Sequence, residues 1–179
     1  MLADYSRVDR SIMDRACAFG NAVHKVVELH ETGRLDEASL RPKEQYLADM
    51  TPILDAWKLC VAEQGLKVLH VESVIASLKY GYAGRLDAIA EVRGVPSVVE
   101  IKSRPFNGML EPLQTAAYLE AWNECHPKER VKSRWFCELR LDGTYSFKEI
   151  SKGLGEPDHF SIFRSALALF QWRRLKNGK

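Results

Sequence analysis

Three residues in the middle of the chain have the types and spacing for phosphoryl chemistry: Asp87, and the pair Glu100 and Lys102 two positions apart. Two carboxylates offer hard oxygen ligands to a divalent cation such as Mg²⁺, which keeps several waters and takes phosphate oxygens as further ligands. A cation held in this way polarises a phosphoryl oxygen and lowers the pKa of a coordinated water. A neighbouring ammonium orients the nucleophile or balances the developing negative charge. These are the parts of a phosphodiester hydrolase. The same residues also fit a solvated strand-edge pair, Glu100 with Lys102, and a surface Asp87, so the elements that carry them must bring them to one place.

Stretches 67–78, 82–92 and 97–103 are rich in β-branched or alternating residues and read as three consecutive strands, with turns at Lys79-Tyr80-Gly81 and Arg93-Gly94-Val95-Pro96. Period-two alternation puts Tyr82, Leu86, Ala88, Ala90 and Val92 on one apolar face, and Asp87 on the other beside Arg85 and Ile89. In the third strand Val99 and Ile101 share a face, and Glu100 and Lys102 share the opposite one. Pairing of these strands through the short turn at 93–96 brings Asp87 near Glu100 and Lys102.

A helix is predicted over 110–125, strands over 132–141 and 144–150 joined at Asp142-Gly143, and a final helix over 158–175. Upstream, Ile12, Ala16, Phe19, Val23, Val26, Val27 and His30 recur at helical spacing and predict a helix over 9–32 that ends near Gly33. Leu47, Met50, Ile53, Leu54, Trp57 and Val61 predict a second over 44–64 that stops at Gly65, with Pro52 marking a kink or an internal boundary. The expected fold is α/β, a mixed central β-sheet flanked by helices and preceded by N-terminal helices. It forms one domain over 1–179: a helical part at 1–65, a sheet core at 66–150 that includes helix 110–125, and a basic C-terminal helix at 157–176.

Composition narrows the function classes. With 179 residues, 46% of them hydrophobic, the chain is long enough to bury a core without staples. Its apolar runs are far shorter than the ~20 residues of a membrane span, and the first twenty residues carry Asp4, Arg7, Asp9, Arg10, Asp14 and Arg15 in place of an apolar secretion segment. The expectation is a soluble, unexported protein with no membrane partner. Cys17, Cys60, Cys125 and Cys137 are far apart and form no CxxC pair, so they read as buried thiols, not disulfides or metal ligands. The net charge of +2 conceals a gradient: residues 1–127 hold 14 basic and 18 acidic side chains, residues 128–179 hold 12 and 6.

The chain resembles the PD-(D/E)XK nuclease superfamily, and within it the RecB-like exonucleases, with lambda-type exonucleases more distantly similar. The resemblance rests on four elements in family order: Gly20-Asn-Ala-Val-His24 on the first helix, Gly84-Arg-Leu-Asp87, Glu100-Ile-Lys102, and Gln114-Thr-Ala-Ala-Tyr118 on the helix after the strands. It covers about residues 12–125 and implies a restriction-endonuclease-like core.

It further implies that Asp87 and Glu100 bind a catalytic Mg²⁺ or Mn²⁺, with the Ile101 carbonyl as a further ligand, and that Lys102 positions or helps activate the attacking water. By the same resemblance His24 approaches the metal through an imidazole nitrogen, and Gln114 and Tyr118, which share a helix face, contact DNA or brace the metal ligands. Glu72 is a candidate further acid at the metal, with a surface strand residue as the alternative. Arg85 and Ser103 flank the motifs as candidate DNA contacts. Glu100 stands where the RecB-like group often has Asp, which leaves a hard ligand in place. The closely spaced C-terminal cysteines of the iron–sulfur relatives are missing, so no cluster is expected.

The resemblance thus points to a metal-dependent DNA exonuclease leaving a 5′-phosphate and a 3′-hydroxyl, with a structure-selective or nicking endonuclease or a non-catalytic DNA-binding subunit as alternatives. Expected partners are DNA ends and a recombinase, single-strand-binding protein or helicase, with an oligomer open. The short length fits a phage or mobile-element nuclease acting in recombination or repair in the cytoplasm of a bacterial or phage-infected cell. The basic C-terminal third, including Arg173 and Arg174, is the candidate backbone-tracking region. Trp135, Phe136 and Trp172 lie among its cations and read as core residues, with base-stacking platforms as the alternative.

Overall fold

The computed structural model describes residues 9–40, 49–151, 155 and 158–178. Helix α1 (Arg10–Glu31) starts at Asp9, whose carboxylate accepts the Ser11 amide at 2.7 Å. It ends just before Gly33, which takes φ +66°. Val23, Val26 and Val27 are its buried residues, whereas Ile12, expected on the apolar stripe, is 54% exposed. Only the second half of the helix reaches the sheet.

The second helix, α2, spans Thr51–Gln64 and not 44–64. Residues 44–48 of that expectation, Leu47 among them, lie outside the described residues. Pro52 sits in the first turn, where its missing N–H costs no hydrogen bond, so it marks the start of the helix and not a kink. Gly65, at φ +59°, ends it. Trp57, fully buried, donates its indole N–H to Glu31 at 2.6 Å and ties α2 to α1.

Strands β1 (Lys67–Ser77), β2 (Tyr82–Val92) and β3 (Val95–Lys102) form an antiparallel meander. Arg93 and Gly94 both have positive φ and make a two-residue turn that pairs Val92 with Val95, so β3 begins two residues earlier than the sequence pattern indicates. Helix α3 (Leu110–Cys125) crosses over to β4 (Ser133–Leu139), which lies parallel to β3, and β5 (Tyr145–Glu149) returns antiparallel. Helix α4 (His159–Lys176) follows. Among the described residues the sheet order is β1-β2-β3-β4-β5, and the result is an α/β restriction-endonuclease-like core with a mixed sheet flanked by helices.

Two cores occupy the two faces of the sheet. One joins Val23, Val27, Ile53 and Trp57 of α1 and α2 to Ala88, Ala90, Val99 and Ile101. The other joins Ala121 and Trp122 of α3 to Ile75, Leu86, Ile89 and Val98. Leu86 therefore packs with Ile89 and not with Ala88 and Ala90, against the single-parity reading of β2. The strand changes face at Asp87, where the ladder passes from Val71↔Ala88 to Ser73↔Leu86 and Glu72 adopts φ +48°.

Trp135 and Phe136 are buried as expected, but Trp172 is 56% exposed. Helix α4 packs through Phe160 and Phe163 against Tyr80 and Tyr82, and Trp172 lies away from that contact. Cys60 and Cys137 are buried with their sulfurs 3.6 Å apart, whereas Cys17 and Cys125 are exposed, against the expectation of four buried thiols. Cys17 sits on the part of α1 that extends past the sheet, and Cys125 on the last turn of α3. Among the described residues no helix is long and apolar enough to cross a membrane.

Candidate active site

The site forms where β2 and β3 part. Their pairing runs from Val92↔Val95 to Ala88↔Val99. At the next position Asp87 meets β3 through its side chain: Oδ2 accepts the Ile101 amide at 2.7 Å and the Lys102 ammonium at 3.2 Å. Lys102 also donates to the Ile101 carbonyl at 3.1 Å and makes an ion pair with Glu100 Oε1.

Glu100 is fully buried: its Oε1 faces the Lys102 ammonium, and among the described residues its Oε2 has no hydrogen-bond partner. A buried carboxylate facing a single ammonium has lost more hydration than one ion pair returns. Burial, with the neighbouring Asp87 charge, pushes the Glu100 carboxyl up to about 7. Burial likewise raises Asp87 against the opposing pull of Lys102 and His24. Lys102 is raised for a different reason: burial disfavours its charge, but Asp87 and Glu100 outweigh it and hold the ammonium protonated above its ordinary range.

His24 enters from α1. Its Nδ1 lies 3.2 Å from Glu72 Oε1 and 3.3 Å from Asp87 Oδ1. Burial disfavours the imidazolium, yet the contact with Glu72 and the field of Asp87 leave its pKa raised. The second Glu72 oxygen pairs with Arg85 Nε at 3.0 Å. One ligand atom each from His24, Glu72 and Asp87 fall within 4.8 Å of one another, close enough to share an ion. The unpartnered Glu100 Oε2 on the same strand as Lys102, together with the hard-oxygen and imidazole donor set, fits a divalent cation.

Helix α3 supplies the opposite wall. Gln114 donates to the Tyr118 hydroxyl at 2.9 Å, across one helical turn. The Tyr118 ring rests on the backbone at Gly84, where an added Cβ would stand 2.8 Å from it. His24, Glu72, Arg85, Asp87, Lys102, Gln114 and Tyr118 line one cavity of about 620 Å³. Glu100 and Ile101 sit beneath Lys102 on the same strand. Ser103, half-buried, follows at the end of β3. Arg173 and Arg174 are not in this group and lie on the last turns of α4.

Asn21, Lys25 and Glu28 also line the cavity and were not singled out from the sequence. Asn21 and Glu28 are three and four residues from His24 and share its helix face, a spacing that identifies them once His24 is chosen. A second group was hidden. Glu111, fully buried on α3, accepts Arg104 Nη2 at 2.5 Å and the Asn107 amide at 2.6 Å, which pins the loop leaving β3 to the helix that carries Gln114. Another cavity, of about 410 Å³, lies by His70, Trp122 and Arg130; its lining is more apolar, and of its two carboxylates Glu91 pairs with Lys67 and Glu129 lies 3.8 Å from His70.

No family model matches the chain, and no curated protein matches its sequence. Solved structures resemble it in fold. A proposed exonuclease from Eubacterium rectale superposes with a TM-score of 0.54 at 11% identity, over 89% of this chain and 68% of that one. An alkaline exonuclease from Laribacter hongkongensis gives 0.39 at 16% identity, over 88% and 84%, and a protein named SSO0001 gives 0.36 at 19%, over 83% and 71%. The first of these likenesses shows that the five-stranded core and its helices are arranged as in a solved protein of similar architecture.

Proposed function

We propose that the chain is a divalent-metal-dependent deoxyribonuclease that acts as an exonuclease on DNA ends. The observation that carries this is Glu100: a fully buried carboxylate with one oxygen on the Lys102 ammonium and the other unpartnered, beside Asp87 and beneath the polar cavity that Asp87 and Lys102 line. A structural core has no use for such a group, whereas a cation site does. The names of the structural neighbours agree with a nuclease.

Asp87, Glu100 and the Ile101 carbonyl would hold a Mg²⁺ or Mn²⁺ ion, with His24 and Glu72 as further candidate ligands. When bound, the ion supplies charge neutralisation at the scissile phosphate and a water of lowered pKa. The chain's own residues do the rest. Lys102, protonated at neutral pH, is a donor and not a base: it orients the attacking water and balances charge that develops on the phosphoryl oxygens. Asp87 holds Lys102 and the β3 backbone in place through two hydrogen bonds. Gln114 and Tyr118, joined to each other, present a carboxamide and a phenol to phosphate or base. Arg85 and Ser103 contact the backbone beside the cleavage point, and Arg173 and Arg174 hold the strand further away.

Digestion of 5′- and 3′-end-labelled single- and double-stranded DNA, with a circular control, tests the reading. Release of nucleotides from linear DNA that stops in EDTA and returns with Mg²⁺ or Mn²⁺ is the expected result. Cutting of the circle would make the same site an endonuclease, and no cleavage with any divalent ion would overturn the assignment.

A further inference from the structure

Helix α4 is apolar on two opposite sides. Phe160 and Phe163 pack on the β1–β2 hairpin at Tyr80 and Tyr82, and Gln171 binds the Tyr80 carbonyl at 3.1 Å. The other side carries Ile162, Leu169 and Trp172, spaced by seven and three residues and therefore within one quadrant of the helix; they are 39%, 57% and 56% exposed. A helix with apolar residues on both sides leaves one side short of a partner.

The charge on this helix says which partner. Between His159 and Lys176 there is no acidic residue, and the cations Arg173 and Lys176 flank Trp172 on the outer side. Arg174 lies over the Phe170 ring, itself 58% exposed, at 5.9 Å. Where the helix meets the hairpin, Lys79 and Arg164 both lie over the Tyr80 ring, at 4.9 and 5.0 Å. The nearby Glu124 is already occupied by the Ser77 hydroxyl and the Leu78 and Lys79 amides. A second copy docked by this face would bring like charges together, whereas a polyanion with exposed planar bases satisfies both the cations and the open rings.

We propose that the outer face of α4 binds single-stranded DNA, with Trp172 stacking on an unpaired base between Arg173 and Lys176. This rests on the nuclease reading only for its purpose: it makes an unpaired strand the substrate led to the cavity. From Gly81, held by α4, Asp87 is six residues along the hairpin, about 20 Å at the rise of a β-strand. That distance lies within reach of the ~4–16 nucleotides that a single-strand groove holds.

The test is fluorescence anisotropy of a labelled oligothymidylate and of a labelled hairpin duplex, in EDTA so that nothing is cleaved. Trp172→Ala should weaken oligothymidylate binding about tenfold or more, Trp172→Phe should keep most of it, and duplex binding should change by less than about twofold. Circular dichroism checks that each variant is folded, which the exposure of Trp172 favours. Single-strand binding as tight as wild type in Trp172→Ala would overturn the proposal, as would equal losses for single strand and duplex. So would a wild-type dimer in sedimentation that Trp172→Ala turns into monomers, since the face would then belong to a second copy. Asp87→Asn separates the two readings: cleavage lost with single-strand binding kept supports both. If the wild type binds the single strand through Trp172 but cuts nothing with any divalent ion, the nuclease reading fails and this one stands.

Discussion

Gly84 is the floor on which Tyr118 rests: a methyl group at position 84 would stand 2.8 Å from the Tyr118 ring. The contact joins the second strand to the helix that crosses over it, and it positions the hydroxyl that Gln114 reaches. Gly84 lies on a strand and has no positive φ, so the need for glycine there is one of space. Gly84→Ala should displace Tyr118, cost about 1–3 kcal/mol of stability by overpacking, and lower cleavage with metal affinity little changed. The control is Tyr118→Ala: in that background, Gly84→Ala should cost much less. An equal cost in both backgrounds, measured by denaturant unfolding, would refute the contact.

Asp87 has a structural duty besides the proposed catalytic one, because its carboxylate accepts the buried Ile101 amide. Asp87→Ala leaves that N–H unpaired and should destabilise the fold by about 1–3 kcal/mol. Asp87→Asn keeps an acceptor and should unfold near the wild-type temperature, yet both variants should be inactive. Lys102→Ala should also abolish cleavage while leaving DNA binding measurable. Full activity of any of the three in a metal-replete assay would remove the residue from the chemistry.

Burial raises the Glu100 carboxyl from its ordinary range to about 7. In the unfolded chain the group ionises near 4.5. Between those two values the folded state holds the extra proton, so stability of the metal-free protein must fall as pH rises from about 4.5 to about 7. Glu100→Gln should make that slope shallower, leaving the part due to Asp87 and His24, which are raised as well. Mg²⁺ or Mn²⁺ should raise the unfolding temperature of the wild type most at the upper end of the window, since a cation competes with the proton for the same oxygens. Thermal melts in EDTA at a series of pH values, for wild type and variant, check this. A flat wild-type profile would refute it.

Glu111 is fully buried and joins Arg104 to the Asn107 amide. Glu111→Ala removes both contacts and should cost about 3 kcal/mol. The loop after Lys102 should then become more open to proteolysis near Arg104. Cleavage at Arg104 no faster than in the wild type would show that the loop is held by other means.

Much of the architecture was legible because its signals are local. Alternation and turn residues mark the strands, and three- and four-residue spacing marks α1 and α3. The misses share a physical cause. Parity assigned Leu86 to the face of Ala88 and Ala90, but parity fails where a strand changes face, and that happens at Asp87, beside the residue with positive φ. Ile12 and Ala16 continue the helical stripe of α1 yet stay exposed, because periodicity gives the direction of a face and not the length of the surface it meets. The seven cavity-lining residues singled out from the sequence do converge, whereas Asn21 and Glu28 needed the helix face of His24 to be known first, and Lys25, next to His24, is not found by that spacing. The Glu111 clamp had no signal at all: a lone glutamate in the first turn of a helix reads as a solvated charge that favours the helix dipole.

The meander and its crossover helix have a kinetic consequence. Glu72, Asp87, Glu100, Lys102, Gln114 and Tyr118 follow one another along β1, β2, β3 and α3, and neighbouring strands in that run are joined by tight turns. His24 and the other lining residues of α1 come from outside it. Loop closures this short carry a small entropic cost, so the run has low contact order and can assemble early. The cavity walls then lack only the face of α1, with Asn21, His24, Lys25 and Glu28, before the N-terminal helices dock.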